Sequence, residues 1–244
     1  MIPLSDPHIA RRTFPYVTIA LLAINVLVFL YQFTLGELES FQFVYKFGVV
    51  PAELTGLPEL TKVPVQLDQR IMLLELASPI PTWATIFTSM FMHGGFLHII
   101  GNMVFLWVFG DNVEDRLGHV RYLVFYLAAG VAAALAQVWV SQDSYTPMVG
   151  ASGAIAGVLG AYLVLYPSSR VNTLIWFGIV TVIPMPAVVL IGIWAVLQLF
   201  SGLGSLGPET AGGGVAYFAH LGGFVVGIAV ALLVRLATLT QRRA

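Results

Sequence analysis

The sequence predicts an all-α, polytopic membrane protein of six transmembrane helices, and three observations carry that prediction. Of its 244 residues, 58% are hydrophobic and only 9% charged, with a mean hydropathy of +0.89; soluble domains are roughly half apolar and a quarter charged. Apolar runs recur that are long enough to cross a hydrocarbon core, which takes about 20 residues. A serine, an asparagine and histidines lie inside those runs, where polar side chains are costly and ionisable ones usually functional. The absence of cysteine excludes disulfides and thiolate metal sites and leaves the redox compartment open. A net charge of -1 with no basic cluster offers nucleic acid no surface.

The first span is expected over 15–34, behind Arg11-Arg12. It imitates a signal peptide, but Gln32-Phe33-Thr34-Leu35-Gly36-Glu37 lacks a small-x-small cleavage site, so a retained helix is expected. A long loop over 35–83 follows, with Glu37, Glu39, Glu53, Glu59, Asp68 and Glu75 among aliphatic residues and Pro51, Pro58, Pro64, Pro79 and Pro81 as punctuation. Structureless loops of that length are uncommon, so short helices lying on the membrane are expected in it. Further spans are expected over 84–109, 120–140, 150–167, 185–203 and 214–236. Between the last three, 172–183 is too short to span and is cut off by Pro184 and Pro186; it reads as an interfacial segment. Without repeats or low-complexity tracts, 1–244 reads as one domain.

Loop charges set the expected orientation. With the N-terminus inside, Arg11, Arg12, Arg116, Arg121, Arg170, Arg235, Arg242 and Arg243 fall on the cytoplasmic side and Lys46, Lys62 and Arg70 outside, eight against three. A cell-membrane protein with both termini cytoplasmic follows. That orientation brings Ser152 and His220 to similar depth near the outer face.

Ser152 opens an apolar run within Gly150-Ala151-Ser152-Gly153, and His220 lies in another, Ala219-His220-x2-Gly223-x3-Gly227. Facing each other they make a nucleophile and its general base. The bland alternative for Ser152 is a hydroxyl bonded one turn back in its own helix. In the second span His98 and Asn102 sit four residues apart, on one helical face, and both donate hydrogen bonds without carrying charge. Two such donors beside a serine suit an oxyanion hole, although polar residues also tie membrane helices together. His93, about 140° round a continuous helix from His98, is expected on another face, and no acidic residue stands near, so no metal or other cofactor is expected. Gly153 and Gly157, with Gly223 and Gly227, form small faces that let two helix backbones approach closely. No carboxylate partner for His220 is evident: Asp111, Glu114 and Asp115 fall at the far end of span two and Asp143 in an outer loop, which leaves a Ser-His dyad. A Gly-x-Ser-x-Gly elbow is absent because position 154 is Ala.

These pieces, His93-x4-His98-x3-Asn102, Gly150-Ala-Ser152-Gly153 and Ala219-His220-x2-Gly223-x3-Gly227, resemble in kind and order the rhomboid family of intramembrane serine proteases, of the prokaryotic, six-span type. Gly110-Asp-Asn-Val-Glu114-Asp-Arg116-Leu-Gly118 resembles the family's turn after span two, whereas Trp83 stands alone where many members carry a Trp-Arg pair. The resemblance implies a rhomboid-like bundle in which Ser152 is the nucleophile, His220 the base, and His98, Asn102 and the Ser152 N–H hold the oxyanion. The implied partners are the lipid bilayer and transmembrane protein substrates, cleaved in or beside a membrane helix. The expected gate is span five with the loop 204–213. The alternatives are a catalytically silent relative that binds membrane helices, against which the presence of both Ser152 and His220 argues, and a transporter, which lacks support because intramembrane carboxylates and broken helix pairs are missing.

Overall fold

A computed structural model of the protein describes all residues except 8, 10, 11, 68–69, 177, 207–213 and 242–244. It is mostly helical. Strand β1 (Ile2–Ser5) leads to α1 (Tyr16–Thr34), α2 (Glu37–Phe47), α3 (Pro51–Leu54), the hairpin β2 (Lys62–Leu67) and β3 (Arg70–Glu75), and the short α4 (Thr85–Ser89). Then come α5 (Phe96–Leu117), α6 (His119–Val140), α7 (Ser152–Leu165), the hairpin β4 (Arg170–Trp176) and β5 (Val180–Pro186), α8 (Ala187–Gly204) and α9 (Tyr217–Gln241).

Among the described residues α1, α5, α6, α8 and α9 are the five helices long and apolar enough to cross a membrane. In α1 the buried residues Thr18, Leu21, Asn25, Phe29 and Gln32 recur at spacings of three and four, one stripe turned to the bundle, while Leu27, Leu30 and Phe33 are exposed, as suits a helix against lipid. The α7 helix is different: it has only 14 residues, and every one from Gly153 to Tyr162 is buried. A helix enclosed by α5, α6 and α9 can be shorter than the bilayer because its backbone never has to meet lipid along its full length.

Three expectations change. The run predicted over 84–109 is divided by Met90–Gly95, where the poor helix former glycine occurs twice in succession, and α5 then runs on to Leu117. The 35–83 loop holds the expected short helices and, in addition, the β2–β3 hairpin. The segment 172–183 lies in the β4–β5 hairpin, which pairs with β1 in the order β1-β4-β5. Pro184 and Pro186 are tolerated there because β5 is an edge strand. A separate expectation, the gate loop over 204–213, falls mostly on 207–213, which lie outside the described residues.

At the end of the bundle remote from Ser152, the buried Glu114 carboxylate accepts the N–H groups of Val17 and Thr18 at 2.9 and 2.7 Å and so caps the first turn of α1. Asp115 accepts the Arg12 and Thr13 N–H groups at 3.0 and 2.8 Å. The chain ahead of α1 is thereby fastened to the last turn of α5.

Candidate active site

The starts of α5, α7 and α9 lie at one end of the bundle and bring His98, Ser152 and His220 together, with Asn102 one turn along α5 from His98. Ser152 is the first residue of α7, so its N–H has no intrahelical acceptor. The loop before it is pinned twice: Val49 and Met148 exchange backbone hydrogen bonds at 3.0 and 2.7 Å, and the Gly150 N–H donates to Ser89 O at 2.9 Å. His220 stands in the first turn of α9, where the Gln137 side chain accepts the N–H groups of Phe218 and Ala219 at 3.1 and 3.3 Å. An α6 amide therefore caps the helix that carries the imidazole.

Glycine sets the distance between α7 and α9. A Cβ at Gly223 would fall onto the carbonyl oxygen of Gly153, and one at Gly227 onto that of Gly157. Helix α6 packs into the same seam: a Cβ at Gly153 or Gly157 would stand 2.6 Å from the Cβ of Ala133 or Ala129 of α6. With the backbones this close, a short side chain reaches across: Ser152 Oγ lies 2.8 Å from His220 Nε2. His220 is buried, so little water competes for that hydrogen bond.

The second span contributes a pair of donors. His98 Nδ1 accepts the Gly94 N–H at 3.3 Å, so in the neutral ring the proton sits on Nε2. Gly150 has φ +133°, which disfavours any residue with a Cβ. A Cβ there would stand 2.8 Å from His98 Nε2 and 3.6 Å from Ser152 Oγ, and its absence leaves a cradle between the two groups. The buried Asn102 spends one amide hydrogen on His98 O at 3.0 Å and keeps the other. A hydroxyl hydrogen-bonded to an imidazole, with N–H donors close by, is an arrangement that can perform acyl transfer.

Two features depart from the sequence reading. His93 precedes α5 rather than lying within it, so the helical offset from His98 does not apply, and the two rings meet edge to face with centroids 5.0 Å apart. Gln32 of α1 clamps the His93 backbone from both sides, accepting its N–H at 3.1 Å and donating to its C=O at 3.4 Å. His220 is not limited to Ser152: its Nδ1 lies 2.8 Å from Gln198 Oε1 on α8. This partner is an amide rather than a carboxylate, and its signal in the sequence is a lone glutamine in an otherwise apolar helix.

A family model for the Rhomboid domain matches residues 81–237. Rhomboid protein 1, mitochondrial, of Saccharomyces cerevisiae is 28% identical over 215 residues, 86% of this chain and 58% of that protein. Rhomboid protease GluP of Bacillus subtilis is 40% identical over 88 residues, 36% of this chain and 17% of that protein. Putative rhomboid protease YdcA of the same bacterium is 33% identical over 81 residues, 33% of this chain and 40% of that protein. The chain thus spans less than two thirds of each of these relatives.

Proposed function

The chain belongs to the rhomboid family of multi-pass membrane proteins, and from that premise we propose that it is an intramembrane serine endopeptidase, cleaving peptide bonds in or next to transmembrane helices by a Ser152–His220 dyad. The observation that carries the reading is the 2.8 Å contact between Ser152 Oγ and His220 Nε2. Ser152 Oγ attacks the scissile carbonyl carbon while its proton passes to His220 Nε2. The carbonyl oxygen, now negative, occupies the cradle at Gly150 and accepts from His98 Nε2–H, the free Asn102 amide hydrogen and the Ser152 N–H. His220 returns its proton to the leaving amine, and water, activated by the same imidazole, releases the acyl group.

The substrate is a membrane helix. Its carbonyls are hidden in hydrogen bonds, so it must unwind locally, and small residues such as glycine near the cut favour that. At 1.5 Å per residue α7 is about 21 Å long. In a hydrocarbon core of about 30 Å, Ser152 therefore lies below one face when the other end of α7 is level with the opposite face. The helix set consists of α7 and the five longer helices, six spans in all, with both termini cytoplasmic in a cell membrane and the 35–83 loop outside. Single cysteines at Ser40 and Ser205 react with an impermeant reagent from outside; protection of both reverses the orientation.

The direct test reconstitutes the protein in liposomes with a labelled single-span substrate. Wild type cleaves and is labelled by a fluorophosphonate, Ser152→Ala does neither while still binding the helix, and His220→Ala loses about 10²-fold or more in turnover. Wild type that binds helices, resists the fluorophosphonate and never cleaves is the silent relative instead.

A further inference from the structure

On the footing of the proposed dyad, we infer that Gln198 is a positioning residue for His220: its side-chain carbonyl fixes the tautomer of the base and makes that base dependent on α8. His220 is bonded at both nitrogens, Nε2 to Ser152 Oγ and Nδ1 to Gln198 Oε1, each at 2.8 Å. A neutral imidazole has one N–H and one lone pair. Since Oε1 can only accept, the proton belongs on Nδ1, and the lone pair on Nε2 is left free to take the proton of Ser152. As that proton arrives the ring becomes cationic, and the Nδ1–H bond to the amide oxygen strengthens where charge develops.

An amide suits the place better than a carboxylate. An ionised carboxylate would have to be desolvated in the bilayer, whereas the amide offers an acceptor without net charge. An asparagine takes the same third position in the Cys-His-Asn proteases, so the role does not require an acid.

The second line of support is Trp194, one turn before Gln198 and on the same face of α8. Its ring lies 6.0 Å, centroid to centroid, from that of His220 and 5.8 Å from that of Phe224. The buried residues of α8 are Ala187, Leu190 and Ile191 near its start and Gly202 near its end. Between them, Trp194 and Gln198 are what α8 presents to the base.

The test compares Gln198→Leu, Gln198→Met and Gln198→Glu in liposomes with the same substrate. Leu and Met fill the space without a strong acceptor, so kcat falls about tenfold, the worth of one neutral hydrogen bond, with KM unchanged. Glu retains an acceptor for Nδ1–H and keeps more kcat than either. A role in packing alone gives the reverse order, because an apolar side chain in a membrane helix is tolerated and a buried acid is not. Leu and Met variants matching wild type in kcat, or exceeding Glu, overturn the inference. The fluorophosphonate separates the two readings: wild type that neither cleaves nor labels sinks the dyad itself, whereas active, labelled wild type with unimpaired Leu and Met variants sinks only the role of Gln198.

Discussion

The two helices that touch His220 hold it in opposite ways. Along the α7–α9 seam the contact is backbone to backbone, with Gly223 against Gly153 and Gly227 against Gly157, so there is no side chain whose rotation could absorb a displacement. On the α8 flank His220 itself is met by the tips of long side chains, Trp194 and Gln198, with Val196, Leu197 and Phe200 beside them exposed, while further along α8 Gly202 packs on Tyr217 and Phe218. Interfaces of the first kind are rigid because a packed backbone has nowhere to go; those of the second kind can be broken and remade. On the proposed reading the nucleophile and base share the glycine seam, and the group that orients the base sits on the flank held by side-chain tips.

The largest effect is expected from breaking the seam. In the double variant Gly223→Ala, Gly227→Ala, two methyl groups one turn apart meet the Gly153 and Gly157 carbonyl oxygens. Overpacking a rigid core costs about 1–3 kcal/mol per site, and here the obstacle is backbone. Thermal unfolding in detergent should occur at a markedly lower temperature, and turnover should be lost with it. A variant of wild-type stability would mean that α7 and α9 are further apart than the seam implies.

The next effect is confined to chemistry. His98→Ala or Asn102→Ala removes a donor to the cradle and leaves the seam and the dyad in place, so turnover should fall by about 10²–10³, or about 2.7–4 kcal/mol, with substrate binding little changed. Unfolding should stay close to wild type for His98→Ala, whose ring is half-buried. A loss seen in KM rather than kcat would assign these residues to substrate binding and leave the cradle without its function.

What the sequence made legible follows the same division. Gly153, Gly157, Gly223 and Gly227 could be read because small residues four apart inside apolar runs have few uses other than close packing. Ser152 and His220 stood out as polar groups set among those glycines. Gln198 does not stand out in the same way, because an amide carries no charge to mark it as the partner of an imidazole. The break at Met90–Gly95 was hidden by the apolar Met90, Phe91 and Met92, which keep a hydropathy window high across a stretch that is not helical. The same error displaced His93. Both hairpins escaped because their strands have 6 or 7 residues, too few to distinguish from short apolar helices by period, and because Pro184 and Pro186 read as terminators until the edge position of β5 is known.

The smallest effect is the sharpest check on the comparison. Gly192 lies inside α8, and a Cβ there would meet nothing within 4 Å. Glycine in a helix interior costs about 1 kcal/mol relative to alanine in water through its extra backbone freedom. With no neighbour to displace, Gly192→Ala should leave unfolding unchanged or raise it slightly, while the same glycine-to-alanine change at Gly223 or Gly227 lowers it. Because α8 hydrogen bonds persist with or without a lipid-facing methyl group, kcat should be unaltered as well. A loss of stability comparable to that at Gly227 would show that α8 is packed as tightly as the seam, and the contrast between the glycine seam and the α8 flank would then have no basis.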